Sequence, residues 1–378
     1  MIKRIINSYN LRQPDWRFVG VLFILIFFGF FMLASASAPV GFEKFNDSYY
    51  FIKHQLIFGL IPGLIACFLM SMIDYKLWRK YAFSLLIFSI ILLILVFIPG
   101  IGADFGTSKS WINIFGISLQ PAEIVKLTFL LYLASWLESR GRDRVGDLNE
   151  GLVPFLTTLG AIMFLMIMQP DIGTMIIIVL ISLAVYFVAG AKISHMVYLA
   201  AAGLVGIFTL IKIAPYRAAR FTVFLHPELD PQGIGYHINQ AFLAIGSGGW
   251  FGKGFGLSRQ KYQYLPEVMG DSIFAVLSEE LGFVIATLTI LAFIYLLFRG
   301  LKIALAANDY FARYVCVGIV FWFGFQAFVN IGAMVGLMPL TGVTLPFISY
   351  GGTSLVVNMA AAGLLINISR YIQKEKLV

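Results

Sequence analysis

Tyr264-Leu265-Pro266-Glu267-Val268-Met269-Gly270-Asp271-Ser272-Ile273-Phe274-Ala275-Val276-Leu277-Ser278-Glu279-Glu280-Leu281-Gly282 is the stretch on which the reading of this chain turns. A polar loop carrying Pro and Gly gives way here to an apolar helix that continues to about Leu297. Asp271 stands at the changeover, where a side chain anchored by the membrane still meets water-borne chemistry. A carboxylate in that place has two readings. It is an N-cap, accepting hydrogen bonds from the first free N–H groups of the helix, or it is a base facing a substrate held at the membrane surface. The local stretch leaves both open.

Composition sets the class. Sixty per cent of the residues are hydrophobic, 12% are charged, and the mean hydropathy is +0.89. Apolar runs long enough to cross a bilayer recur throughout. They are Phe18–Ala36, Gln55–Ser71, Ala82–Ile98, Ala122–Leu137, Leu152–Met168, Met175–Ala189, Met196–Ile213, Ser272–Phe298, Phe311–Val335 and Thr353–Ile368. The expectation is an all-α polytopic membrane protein of about ten transmembrane helices, forming a single domain over residues 1–378. Soluble enzyme, β-barrel and disordered chain are poor fits. The first run is too long and too far in for a cleaved signal. Cys67 and Cys316 both fall inside apolar runs and read as packing residues. The net charge of +8 is not gathered on one soluble face, so nucleic acid is not an expected partner.

Orientation follows from the basic residues. With both termini cytoplasmic, the inner segments hold Lys3, Arg4, Arg12, Arg17, Lys76, Arg79, Lys80, Arg140, Arg142, Arg144, Lys192, Arg299, Lys302, Arg313, Arg370, Lys374 and Lys376, seventeen of the 27 Lys and Arg. Short basic inner loops are what the positive-inside rule asks. The outer side then carries one long loop between spans seven and eight, about residues 214–270. Loops of that length serve function or are disordered, and this composition is not a disordered one. Within it, Ile238, Phe242 and Ile245 recur at helical spacing among Tyr236, His237, Asn239 and Gln240, a pattern for a short amphipathic helix that either lies in the outer interface or caps the bundle.

Several polar groups need a reason to be in a membrane. Gln120-Pro121-Ala122-Glu123 opens the fourth span, and Glu123 shares a helix face with Lys126, so the two can pair or place a cation near the outer surface. Turn chemistry accounts for Gln169-Pro170-Asp171-Ile172-Gly173-Thr174. Ala275, Ser278 and Gly282 form a small-residue stripe beyond Asp271 that admits a close neighbour. Glu280 lies half a turn round and roughly 13 Å deeper, so it makes no close carboxylate pair with Asp271. The glycine-rich run Gly246–Gly256 fails the phosphate-loop pattern and reads as a hinge. The four His are scattered, with no metal cluster and no G-x-S-x-G elbow.

Read in order, these segments resemble the SEDS family of bacterial cell-wall proteins (FtsW, RodA and the sporulation paralogue). The carriers are Ala34-Ser35-Ala36-Ser37, Ser110-Trp111-Ile112, Gln120 to Glu123 with Lys126, and Gln169 to Thr174. They continue with Ala244 to Gly249, Leu265-Pro266-Glu267 through Asp271 to Gly282, Asn330-Ile331-Gly332 and Gly342 to Gly352. The resemblance implies a peptidoglycan glycosyltransferase of the bacterial cytoplasmic membrane. Such an enzyme polymerises lipid II, a disaccharide-peptide on undecaprenyl pyrophosphate, at the outer face, beside a single-pass class B penicillin-binding protein. The family's essential aspartate maps onto Asp271. Two departures stand out: Ser110, beside Lys109, occupies a place where many members have Arg, and Met269-Gly270-Asp271-Ser272 replaces a common His-Thr-Asp-Phe.

The chemistry so implied is inverting transfer. The acceptor GlcNAc 4-OH loses a proton as it attacks an α-linked MurNAc pyrophosphate, giving a β-1,4 link, and one positioned carboxylate suffices as base. The departing pyrophosphate needs positive charge, for which Lys109, Lys126, Arg217, Arg220 and Lys261 are outer-side candidates. A divalent cation, Mg or Mn, is the alternative source of that charge. The motifs add Trp111, Glu123 and Ser349 as substrate-binding candidates. Rival readings are a lipid II flippase lined by Glu123, Glu279 and Glu280, and a scaffold among divisome or elongasome membrane proteins. Within the family, the segment Leu337–Phe347 and the variant around Asp271 are more FtsW-like, hence septal, than RodA-like, hence side-wall.

Overall fold

The computed structural model describes residues 13–100, 102–105, 108–114, 117–213, 218, 222–226, 229–230 and 233–372. Each of the ten apolar runs lies on a helix. In chain order these are α1 (Trp16–Phe45), α2 (Tyr50–Met72), α4 (Ala82–Leu95), α5 (Pro121–Val145), α6 (Leu148–Met168), α7 (Ile172–Val188), α8 (Ile193–Ile213), α10 (Ile273–Ala306), α11 (Tyr310–Met334) and α12 (Gly352–Ser369). Two shorter helices join them, α3 (Tyr75–Lys80) and α9 (Ile234–Gly248). The protein is a polytopic helical membrane protein. Among the described residues, six helices are long and apolar enough to cross a bilayer.

Local sequence explains the irregularities. Asp15 starts α1 by accepting from the N–H groups of Arg17 and Phe18. Wide π-type turns at Leu56–Leu60 and Leu148–Leu152 precede Pro62 and Pro154, residues without an N–H to give. Pro121 opens α5 at a first-turn position, where its missing donor costs least. One departure from the all-α expectation is plain. Between α4 and α5 the chain makes a small antiparallel meander of β1 (Gly102–Phe105), β2 (Ser108–Ile114) and β3 (Ile117–Leu119), with Ala103 opposite Trp111 and Ile112 opposite Leu119. Its strands are short and mixed in polarity, too weak a period-two signal to stand out beside the spans.

Of the six long spans, α11 and α12 are the most enclosed. Phe23, Phe27, Phe68, Phe83 and Phe283 point outward from the surrounding helices, as lipid-facing side chains do. Contacts between distant segments sort the helix ends into two groups. At one end, Asp15 meets Arg299 and Ser369, Tyr75 meets Asp309, and Arg79 meets Glu138. At the other end, Gln120 meets Asp171 and Thr353, and Asn330 meets Asp271. The two groups are the same sets of loops that the basic residues divide.

The expected single helix Ser272–Phe298 is interrupted. Gly282 adopts φ 75° and ψ −177°, and α10 breaks there into a short first segment and a long second one. The glycine-rich run fills the break. Lys253 and Gly254 donate their N–H groups to the carbonyls of Glu279 and Glu280, at 3.0 and 2.9 Å. Phe283 and Val284 donate to the carbonyls of Gly249 and Trp250. Four of the backbone groups freed by the break are thereby satisfied, as a membrane interior demands. The run is therefore a packed plug rather than a hinge. At Gly248, Gly252 and Gly282 an added Cβ would overlap backbone atoms of the opposing segment. The same packing positions α9, which follows the first segment of α10, from His237 beside Ser272 to Gly248 against Ser278. The small-residue stripe is what admits it.

Candidate active site at the start of α10

Asp271 is not the cap of α10. Ser272 holds the N-cap position, and its side chain makes no capping hydrogen bond. The carboxylate stands one residue before the helix, half-buried. What holds it is its own backbone. Tyr350 N–H donates to Met269 O at 2.8 Å, Ser349 Oγ to Gly270 O at 2.6 Å, and Asn330 Nδ2 to Asp271 O at 2.8 Å. Three successive carbonyls are thus gripped by the α11–α12 region. Asn330 is 1% exposed and its Nδ2 also donates to Val343 O at 2.8 Å. The Ser349 hydroxyl in turn accepts from Leu345 N–H. A shallow recess beside Asp271 is lined by Asn330, Ala333, Met334, Leu340 and Val343.

The second polar group lies on the same α11 face, one turn away. Lys126 is buried, 2.8 Å from Glu123 and 2.8 Å from Gln326 Oε1, with its ammonium 4.8 Å from the centre of the Trp322 ring. Gln326 passes the connection on, its Nε2 donating to Thr344 O at 2.9 Å. Gln326 and Asn330 are four apart on α11, so adjacent turns bind the neighbouring carbonyls of Val343 and Thr344. One short segment thereby joins the Glu123–Lys126 pair to the backbone of Asp271. Asp171 caps α7 by accepting from Thr174 N–H, and its other oxygen accepts from Gln120 Nε2.

Deeper along α10, two carboxylates tie the plug down. Glu279 accepts from Lys253 Nζ at 2.6 Å, from Ser258 Oγ, and from the N–H groups of Arg259 and Gln260. Glu280, fully buried, accepts from Lys261 Nζ at 2.8 Å and from Ser35 Oγ of α1 at 2.6 Å. These are neutralised clamps, the condition under which a buried charge is tolerable.

The family model described as "Cell cycle protein", covering FtsW, RodA and SpoVE, matches residues 15–374. The chain belongs to the FtsW/RodA/SpoVE family. It is 44% identical to Stage V sporulation protein E of Bacillus subtilis over 359 residues, 95% of this chain and 98% of that protein. It is 38% identical to the probable peptidoglycan glycosyltransferase FtsW of Trichlorobacter lovleyi, covering 98% of this chain and 96% of that one. Among solved structures it is similar to a chain from a peptidoglycan synthase complex studied for the coordination of polymerization and crosslinking. There the TM-score is 0.79 and the identity 29%, with 95% and 98% of the two chains covered. It is also similar to the rod shape determining protein RodA of Thermus thermophilus, with TM-score 0.70, identity 28%, and 94% and 97% covered.

In this member of the FtsW/RodA/SpoVE family, the expected site residues fall into separate groups. Asp271, Ser349, Glu123 and Lys126 meet on the segment from Val343 to Tyr350. Ser349 is committed to backbone atoms, and Lys126 is paired with Glu123. Lys261, expected as an outer cation, is 3% exposed and held by Glu280 in the plug. Trp111 is half-buried on β2, and Lys109 lies two residues before it on the same strand. Arg217 and Arg220 lie outside the described residues. Sequence reasoning missed Gln326 and gave Asn330 no role. Two amides four apart in an apolar span were the available signal. Among the described residues, no group of three or more His, Cys, Asp or Glu side chains is placed to hold a metal.

Proposed function

We propose that the chain is a peptidoglycan glycosyltransferase that polymerises lipid II into β-1,4 glycan strands, with Asp271 as the general base. The observation that carries this reading is the grip on the carbonyls of Met269, Gly270 and Asp271. It fixes a half-buried carboxylate just outside the first turn of α10, at the end of the bundle where the long loop gathers. A base held so is oriented before substrate arrives, which is what proton abstraction in the transition state rewards. The 4-OH of the acceptor sugar loses its proton to Asp271 as its oxygen attacks the anomeric carbon of the donor. The bond to pyrophosphate breaks on the opposite face, and the configuration inverts.

The distribution of Lys and Arg supports ten crossings of the bacterial cytoplasmic membrane, both termini inside and Asp271 outside. Charge for the departing pyrophosphate comes from Lys109, Arg217 or Arg220 on that side, or from Mg or Mn, which would take the pyrophosphate oxygens as ligands beside Asp271. Kinship with relatives called FtsW favours septal synthesis over side-wall elongation. Kinship with a synthase-complex chain favours a class B penicillin-binding protein as partner, within the divisome. A flippase would use the interrupted helix as its substrate site, but here the freed backbone groups are taken by the chain's own loop.

The test is polymerisation of lipid II in detergent by the full chain with its partner. Asp271→Asn is expected to fold and insert normally and to lose polymer formation by a factor of about 10² or more. Polymer at the unsubstituted rate from that variant would remove Asp271 from the chemistry.

A further inference from the structure

Ser272 and His237 have no part in the reading of Asp271 as base, yet Ser272 lies against it and His237 lies against Ser272. The Ser272 hydroxyl is fully buried between two titratable side chains: His237 Nε2 at 2.6 Å and Asp271 Oδ1 at 3.4 Å. His237 comes from α9, is only partly covered, and belongs to the long outer loop. The result is an unbroken side-chain path from the carboxylate to a partly exposed imidazole. We propose that Ser272 and His237 carry the abstracted sugar proton away from Asp271; the proposal rests on the reading of Asp271 as general base.

The need for such a path comes from the substrates. Two lipid-linked sugars and a pyrophosphate crowd the open side of Asp271 during transfer, the side from which water would otherwise collect the proton. A fixed hydrogen-bonded path through protein is then the available exit. In the resting site the Ser272 hydroxyl donates to Asp271 Oδ1; as Asp271 takes the sugar proton, the hydroxyl turns to donate to Nε2 of a His237 that carries its proton on Nδ1. Once Asp271 holds the sugar proton, its carboxyl O–H donates to Ser272 Oγ, and the 3.4 Å separation closes as catalytic hydrogen bonds do when substrate is bound. The proton passes from Asp271 to Ser272 while the proton of Ser272 passes to Nε2. Asp271 ends as carboxylate, Ser272 as hydroxyl and His237 as imidazolium. The imidazolium releases a proton to water, and exchange of the remaining ring proton restores the starting tautomer. No electrons move, and the net change is one proton from sugar oxygen to solvent. His237 touches no reacting atom; it is a positioning residue that acts through Ser272.

The experiment uses the full chain with its partner, lipid II in detergent, and free imidazole as the chemical probe. His237→Ala is expected to lower kcat about a hundredfold, the low end for a positioned proton-transfer group, with KM unchanged, and added imidazole should restore much of the loss. Ser272→Ala is expected to lose as much without recovery in imidazole, and Ser272→Thr, which keeps the hydroxyl, to retain activity. His237→Ala with ordinary kcat beside an inactive Asp271→Asn overturns the relay and leaves the base in place. A loss in His237→Ala that imidazole does not restore also overturns it, making His237 a strut for α9. Activity in Asp271→Asn defeats the base reading itself, a different result from either.

Discussion

At the scale of single residues, the N-cap position of α10 belongs to Ser272 and not to Asp271. A carboxylate that caps would be held by its side chain. Here the carbonyls of Met269, Gly270 and Asp271 are held, and the carboxylate accepts from the Ser272 hydroxyl. Asn330 is the donor whose loss would be felt most, because its Nδ2 serves both Asp271 O and Val343 O. Asn330→Leu, close in shape, leaves two carbonyls short of a donor at about 1–3 kcal/mol each. The displaced carboxylate should cost about a hundredfold in kcat, with KM little changed, read by steady-state polymerisation. An unaltered kcat would mean that the grip does not set the base. Asn330 stood in the sequence as part of a motif, but its role was invisible there. Its partners are 13 and 59 residues away along the chain.

At the scale of elements, α10 shows what periodicity misses. Apart from Ser278, Glu279, Glu280 and two threonines, the residues from Ile273 to Leu297 are apolar or glycine, so hydropathy reads one helix, and the glycine at 282 passes for part of a small-residue stripe. The break becomes visible only when Gly249–Gly254 is placed beside it to supply the missing hydrogen bonds. Gly282→Ala tests this pairing. Its positive φ costs about 1–3 kcal/mol for an alanine, and the new Cβ meets the backbone of Trp250 to Gly252 as well. Thermal unfolding in detergent should show a clear loss of stability, with Gly203→Ala, at a helical position with open space around it, unchanged. Equal melting of the two variants would mean that the plug is not tightly seated.

At the scale of the whole molecule, the prediction concerns sidedness. Lys53 and Arg144 have side chains about 62% and 63% exposed and belong to opposite groups of helix ends. In intact spheroplasts, a membrane-impermeant maleimide should label Lys53→Cys, with Cys67 replaced by Ala, and should reach Arg144→Cys only after permeabilisation. The reverse pattern would put Asp271 in the cytoplasm and end the proposed chemistry. The sequence by itself determined the helical membrane class, the ten apolar runs, the division of loops into two sets, and the aspartate at the mouth of α10. Those follow from solvent preference, which each segment expresses alone: apolar length for the bilayer, Lys and Arg for the inner side, a carboxylate for the water boundary. Only the tertiary structure decided the partners. Lys261 is paired to Glu280, Ser349 to the backbone, Gln326 to Lys126, and the glycine run to the gap in α10. A polar group inside a membrane must find a mate, but which one depends on the distance between atoms far apart in the chain, and no local pattern encodes that distance.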